Sequence, residues 1–158
     1  MHYSLNPERL PQLTARLKII GLRPTQQRLA LADLLFSAGD RHVSAEALHL
    51  EAQEAGVSVS LATVYNTLNR FHQVGLLKEV SVDSGRSYFD TNLTPHIHIF
   101  NEVTSELYDA PLCLRPEVLE ALAPAHTEAV SVEVVVRVRP RAHPAAASEP
   151  AASEPQER

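Results

Sequence analysis

The chain has 158 residues, of which 44% are hydrophobic, so it can bury one ordinary core or two small ones. Its single cysteine, Cys113, excludes an intrachain disulfide and a Cys-x-x-Cys zinc clamp, and a reducing cytoplasmic setting is expected. No apolar run is long enough to span a bilayer, and the N-terminus lacks the pattern of a secretory signal, so we expect no membrane partner.

The net charge of −5 is unevenly distributed along the chain. Residues 1–80 carry eight Lys and Arg against seven Asp and Glu, whereas residues 81–158 carry six against twelve. The acidic excess therefore belongs to the second half. A near-neutral first half can bind DNA if its basic groups share one face, so the charge permits a nucleic-acid partner without predicting one.

The first half has the pattern of four helices. Asn6 and Pro7 resemble an N-cap followed by proline at the first helical position, and the leucine stripe that follows ends at Gly21. The next three helices are each expected to begin after a hydroxyl-bearing N-cap: Thr25, Ser44 and Ser60. The fourth helix is expected to bury one apolar face, formed by Leu61, Val64, Leu68 and Phe71.

Strand-like segments follow the fourth helix. Residues 77–82 and 87–90 flank the sequence Asp-Ser-Gly-Arg, a plausible hairpin turn. Helices followed directly by a two-stranded hairpin are the layout of a winged helix-turn-helix. We therefore predict an α+β protein with an N-terminal winged helix-turn-helix domain at residues 1–91 and a hinge at residues 92–95.

Residues 96–140 predict a small αβ domain. It has strand candidates at residues 96–103 and 107–110, and a helix that begins at Pro116. Valines alternate with other residues from Val130 to Val138, which predicts a strand with a continuous valine face on a core. Because these few elements cannot cover all their apolar faces, we expect two copies to pair as a homodimer. The tail at residues 141–158 is rich in Ala, Pro, Ser and Glu and is expected to be disordered.

The outer face of the fourth helix has no acidic residue, which is unusual for a helix that only faces water. It carries small, hydroxyl and amide groups and an arginine, which suit base edges and phosphates in a major groove. The side chains predicted to contact DNA here are Thr63, Tyr65, Asn66 and Arg70. Arg23, before the second helix, is placed to reach a minor groove. The alternatives are an ordinary polar helix face and a solvated arginine.

His96 and His98 are the most chemically distinctive pair in the chain. Residues two apart on a strand point to the same side, so the two imidazoles converge, as two ligands of one metal ion do. The alternative is a pair of half-exposed histidines on a polar sheet face.

An enzyme interpretation of the same segment is weaker. His96, His98 and Glu102 match the H-x-H-x-x-x-E core of a cupin metal oxygenase, but Asp90 and Asp109 stand where that motif requires glycines. A helical first half also does not suit a double-sheet jelly roll. We therefore predict that the protein is not an enzyme and has no small-molecule substrate.

Four segments, in this order and spacing, resemble the ferric uptake regulator superfamily. They are GLRPTQQR at residues 21–28, HVSAE at 42–46, ATVYNTL at 62–68 and the His-x-His strand at 96–98. The resemblance covers roughly residues 10 to 138. It implies a winged-helix domain hinged to an αβ dimerisation domain. It also implies a repressor of iron or haem homeostasis that binds AT-rich palindromic operators in double-stranded DNA as a dimer. Residues 88–92, YFDTN, resemble the iron response regulator branch.

The resemblance also implies a regulatory metal site that joins the two domains. Its ligands are His42, Asp90, His96, His98 and Asp109. Three imidazoles and two carboxylates suit Fe²⁺, Mn²⁺ or Zn²⁺. The family's structural zinc site of two Cys-x-x-Cys pairs is absent, because Asn101 and Thr104 occupy the first pair.

Two features of the sequence leave the physiological signal open. Haem is the signal in the iron response regulator branch, but its cysteine-proline motif is missing here, so haem binding through the His-x-His segment is a hypothesis. The aspartate at position 90 resembles the peroxide-sensing members of the superfamily, in which iron-bound histidines are oxidised. A peroxide-sensing regulator of oxidative stress genes is therefore the alternative function.

Overall fold

The computed structural model describes residues 3, 5–83, 85–112, 115, 117–118, 121, 123–128 and 132–141. The helices in this part of the chain are α1 (Leu10–Ile19), α2 (Gln26–Phe36), α3 (Ala45–Glu54) and α4 (Leu61–Gln73). The strands are β1 (His42–Val43), β2 (Lys78–Asp83), β3 (Arg86–Asp90), β4 (Ile97–Asn101), β5 (Glu106–Asp109) and β6 (Val134–Val138). The helices thus precede most of the strands, as the α+β prediction requires. None of the described helices is long and apolar enough to cross a bilayer.

The helix N-termini follow local sequence chemistry. Thr25, Ser44 and Ser60 each accept a hydrogen bond from the backbone N–H three residues later, so the three predicted N-caps are confirmed. Asn6 differs, because its side chain caps a turn at Glu8 and α1 begins only at Leu10.

The four helices enclose the larger core. Its fully buried side chains include Leu17, Leu31, Leu35, Leu48, Val64, Leu68 and Phe71. The predicted burial of Leu61 is wrong, since this side chain is 37% exposed. Helical side chains lean back over the preceding turn, and Leu61, as the first residue of α4, has no preceding turn to cover.

The strands form two three-stranded sheets, which differ in the relative direction of their paired strands. In the first the order is β1-β3-β2, and both pairings are antiparallel. In the second the order is β5-β4-β6, with β4 antiparallel to β5 and parallel to β6. The pairing of β1 was not predicted, because a strand of two residues is too short to leave a periodic pattern.

A second apolar cluster joins the two sheets. Val80 and Val82 of β2 pack with Phe100 of β4 and Leu107 of β5, and Tyr88 and Val135 border them. The Tyr88 hydroxyl also donates to the carbonyl oxygen of Ser105 at 2.6 Å. The hairpin of β2 and β3 therefore packs against the second sheet.

The prediction that β6 places a continuous valine face on a core is only partly correct within one chain. The side chain that packs on the cluster is Val135, whereas Val136 is 45% exposed. Val134 and Val136 pair with Ile97 and Ile99 in the parallel register, so these four share the other sheet face. Among the described residues this face remains partly open to solvent.

Several predictions fall outside the described residues. These are Cys113, the start of the helix at Pro116, the first part of the valine strand at Val130 and the tail from residue 142 onward. The domain boundary at residues 92–95 stays a prediction.

Candidate metal centre

Five side chains from distant parts of the sequence meet where the two sheets adjoin. They are His42, Asp90, His96, His98 and Asp109, and one ligand atom from each lies within 4.8 Å of the others. Nitrogen and oxygen ligands lie about 2.0–2.2 Å from an ion such as Zn²⁺, so ligands on opposite sides are roughly 4 Å apart. Small side-chain movements would therefore gather all five around one ion.

Strand register brings these residues together. The pairing of β1 with β3 places His42 opposite Asp90, and the pairing of β4 with β5 places His98 opposite Asp109. His96 precedes β4 and lies two residues before His98, so both imidazoles point to the same side. The first sheet supplies two of the five side chains. The other three come from the second sheet and from His96, which immediately precedes it.

Both carboxylates lie among imidazole nitrogens. Asp109 Oδ1 is 3.1 Å from His42 Nε2 and 3.0 Å from His96 Nε2. Asp90 Oδ2 is 3.2 Å from His96 Nε2 and 3.3 Å from His98 Nε2. The side chain of Asp90 is completely buried, whereas that of Asp109 is 37% exposed. One buried negative charge and one half-exposed charge therefore face the same point.

The hydrogen-bond pattern identifies the free nitrogen of His96. Its Nδ1 lies 2.7 Å from the carbonyl oxygen of Thr94. A carbonyl oxygen only accepts, so Nδ1 carries the proton and Nε2 of the neutral ring has a free lone pair. That lone pair faces two carboxylate oxygens and His98 Nε2 at 2.9 Å. The lone pairs of His96 Nε2 and of the carboxylate oxygens repel one another, and a cation between them removes the repulsion.

His42 gives a second indication of a cation. Its Nε2 is buried and makes no hydrogen bond of acceptable geometry, although Asp109 Oδ1 is only 3.1 Å away. A buried polar atom without a partner is costly unless another group satisfies it. The donor set, two oxygens and three nitrogens, therefore fits a divalent ion.

The protonation states favour ligation. Burial alone would raise the pKa of Asp90, but the adjacent imidazoles of His42 and His98 and the hydrogen bond from the Asn92 N–H outweigh it and lower this pKa. Burial lowers the pKa of His98, helped by the charges of His96 and His42 and opposed by Asp90. Near neutral pH the site thus holds an ionised Asp90 and a neutral His98, the forms that bind metals.

The predicted DNA-contacting residues lie at or near the surface of the winged-helix unit. Asn66, Arg70 and Arg23 are exposed, Tyr65 is 38% exposed, and Thr63 is partly buried. Sequence reasoning missed Glu46, which accepts a hydrogen bond from the Tyr65 hydroxyl at 3.2 Å. Only tertiary structure places these two side chains together, since they belong to α3 and α4.

Sequence reasoning also treated residues 92–95 as a connector alone. Asn92 and Thr94 in fact hydrogen-bond to the candidate ligands. The available signal was an Asn-x-Thr turn immediately before the histidine pair.

Comparison with known proteins gives a consistent result. A model described as "Ferric uptake regulator family" matches residues 20–136. The "Ferric uptake regulation protein" of Cupriavidus metallidurans is 37% identical over 82 residues, which are 52% of this chain and 57% of that protein. The protein of the same name from Pseudomonas putida is 35% identical over 96 residues, 60% of this chain and 72% of that protein. The chain therefore spans little more than half the length of the first of these relatives.

A solved structure extends the likeness across the fold. The ferric uptake regulator from Pseudomonas aeruginosa with manganese aligns with a TM-score of 0.66 and 30% identity, over 82% of this chain and 98% of that one. The predicted fold class, an N-terminal winged helix followed by a small αβ unit, is confirmed. Because the family model matches most of the sequence, the chain belongs to the ferric uptake regulator family.

Proposed function

We propose that this protein is a metal-responsive transcriptional regulator that binds operator DNA as a homodimer and represses genes of iron homeostasis. The observation that carries this proposal is the convergence of five candidate ligands at the junction of the two sheets. In this proposal residues 1–91 bind DNA, residues 96–140 form the dimer, and residues 92–95 are the hinge between them.

The site would act by fixing the angle between the two units. His42 and Asp90 belong to the winged-helix unit, whereas His96, His98 and Asp109 belong to the second unit. When bound, a divalent ion supplies the positive charge that the two carboxylates and the lone pairs of the imidazoles require. Arrangements that gather all five side chains are then favoured over those that separate them. In a dimer, the hinge angle sets the spacing of the two α4 helices and hence their fit to half-sites about 34 Å apart.

The donor set favours a small ion over haem. Five side chains approach one point, whereas haem iron leaves at most two positions for protein ligands. Fe²⁺, Mn²⁺ and Zn²⁺ all suit three imidazoles and two carboxylates, and the related Pseudomonas aeruginosa regulator is described with manganese. A peroxide-sensing regulator would use the same donors and stays the alternative prediction.

The exposed face of α4 would contact the major groove. Thr63, Tyr65 and Asn66 are proposed to contact bases, since an amide pairs with adenine and an aromatic or methyl group contacts thymine methyls. Arg70 and Arg23 are proposed to contact phosphates or the minor groove. The absence of acidic side chains along this face of α4 supports the assignment, because carboxylates would repel the DNA backbone.

The open face of the second sheet would form the dimer interface. Ile97, Ile99, Val134 and Val136 line it, and Tyr108, which pairs with Ile99, is 45% exposed. A contiguous apolar sheet face of this kind is normally covered in a folded protein. A second copy of the same face, related by two-fold symmetry, would cover it.

The central experiment measures operator binding with Mn²⁺ and with a chelator. The DNA is selected from a random duplex pool under both conditions, and affinity is measured by fluorescence anisotropy. Metal is expected to change the affinity about 5- to 150-fold, the usual range for coupling between two sites. His96→Ala should abolish this dependence, whereas His72→Ala, at a half-exposed histidine on α4, should retain it. Equal affinity with metal and with chelator would contradict the proposal.

Metal affinity should depend on pH in a defined direction. The lowered pKa of His98 means that the folded apoprotein keeps this imidazole neutral above its ordinary pKa of about 6.5 and protonates it only below that value. Protons then compete with the ion, so Mn²⁺ affinity should fall below pH 6.5, by up to about tenfold per pH unit for each protonated imidazole. Competition with a fluorescent chelator at pH 7.5, 6.5 and 5.5 measures this. Constant affinity over that range would argue against histidine ligation.

Substitutions on α4 should separate base contacts from phosphate contacts. Asn66→Ala is expected to weaken binding to the selected operator by about 1–3 kcal/mol with little effect on unrelated DNA. Arg70→Ala should weaken both and lower the salt slope by about 1. Gln53→Ala, at an exposed position on α3, is the matched control and should change neither. An Asn66→Ala protein with unchanged operator preference would remove Asn66 from the interface.

The dimer prediction is tested at Val136. A lysine placed in an apolar interface loses its hydration, so Val136→Lys should convert the dimer to a monomer. Val103→Lys is the control, because Val103 is 67% exposed in the turn between β4 and β5. Light scattering after size-exclusion chromatography gives the mass of each. The interface is misplaced if Val136→Lys remains a dimer at the same concentrations.

A further inference from the structure

Asn92 contacts both aspartates of the candidate metal centre. Its backbone N–H donates to Asp90 Oδ1 at 2.7 Å. Its side-chain amide donates to Asp109 Oδ2 at 3.3 Å. These aspartates lie on different sheets, so one residue of the connecting segment touches a candidate ligand on each side of the junction.

The orientation of the Asn92 amide is fixed by Thr94. Asn92 Oδ1 accepts from the Thr94 backbone N–H at 3.1 Å and lies 2.6 Å from the Thr94 hydroxyl. A backbone N–H can only donate, so the amide oxygen must face Thr94 and the amide nitrogen must face Asp109. The Thr94 carbonyl in turn accepts from His96 Nδ1. Asn92 and Thr94 therefore orient three candidate ligands, Asp90, Asp109 and His96.

These contacts give the two oxygens of Asp109 different partners. Asp109 Oδ1 lies near His42 and His96, while its Oδ2 is held by the Asn92 side chain. Asp90 Oδ2 lies near His96 and His98, while its Oδ1 accepts the Asn92 backbone N–H and also lies 3.6 Å from His42 Nε2. In Asp109 one oxygen is therefore directed at the centre and the other is held by Asn92, whereas both oxygens of Asp90 lie near imidazoles of the centre.

We propose that Asn92 is a positioning residue that limits Asp109 to one oxygen toward the bound ion. Asp109 then offers the ion a single oxygen and does not bind through both. This inference rests on the proposed metal-responsive function and adds a determinant of ion choice. Five donors exceed the four that Zn²⁺ takes in structural sites, so the number of available oxygens bears directly on which ion the site prefers.

The test uses Co²⁺ as a probe, because its visible absorption weakens as its coordination rises to six. Asn92→Ala removes the side-chain donor and keeps the backbone N–H, so it releases only Asp109 Oδ2. Asn92→Asp keeps an acceptor for Thr94 and repels Asp109 Oδ2 from its present position, and it serves if the alanine variant folds poorly. Thr94→Ala is the matched control, since it removes the hydroxyl contact but retains the backbone N–H that fixes the amide.

Both Asn92 variants are expected to lose visible absorption per bound Co²⁺, because Asp109 then binds through both oxygens. Asn92→Ala should also bind Co²⁺ about 10- to 100-fold more weakly, as is usual when an outer partner of a ligand is lost. Thr94→Ala should match the wild type in both measurements. Circular dichroism melting verifies that each variant is folded.

Two results would overturn the inference while leaving the metal site in place. One is an Asn92→Ala or Asn92→Asp spectrum identical to that of the wild type. The other is an equal spectral change in Thr94→Ala, which would mean that any loosening of the connector has the same effect. If the wild-type protein itself took up no Co²⁺, the metal site and the role of Asn92 would both fail.

Discussion

The buried carboxylate of Asp90 is the constraint on which the junction depends. It has no exposure to solvent and is surrounded by the imidazoles of His42, His96 and His98. An ionised group in such a place is stable only if positive charge or several hydrogen bonds compensate it. The hydrogen bond from the Asn92 N–H provides part of this, and a metal ion or a protonated imidazole must provide the rest. The charge state of the centre is thereby tied to the packing of the two sheets.

Apolar packing and the polar centre act on the same junction in different ways. The cluster of Val80, Val82, Phe100 and Leu107 holds the β2–β3 hairpin against the second sheet without regard to metal. Apolar contacts are non-directional, so they permit small changes in the angle between the sheets. Coordination bonds are directional, and five of them would select one angle. A junction of this kind would respond to an ion by shifting between similar arrangements of the two sheets, without separation of the two units.

The segment between the sheets is therefore part of the centre. Asn92 and Thr94 link Asp90, Asp109 and His96 through four hydrogen bonds. The Lys78 ammonium also donates to the Thr94 carbonyl oxygen at 3.3 Å. A connecting segment that is hydrogen-bonded to the candidate ligands cannot move independently of them. Binding of an ion at the candidate centre would in this way be passed to the chain that connects the two sheets.

Local chemistry in the sequence determined the helices, their hydroxyl N-caps and the convergence of His96 with His98, because each depends on residues within one or two turns or two strand positions. Tertiary structure decided the rest. The pairing of β1 with β3, which brings His42 to Asp90, involves residues about fifty apart and a strand too short for any period, so only family resemblance had suggested those ligands. The exposure of Val136 likewise depends on which faces other elements cover. Asn92 gains its contacts only when two sheets close around it, and no pattern confined to one segment can encode that meeting.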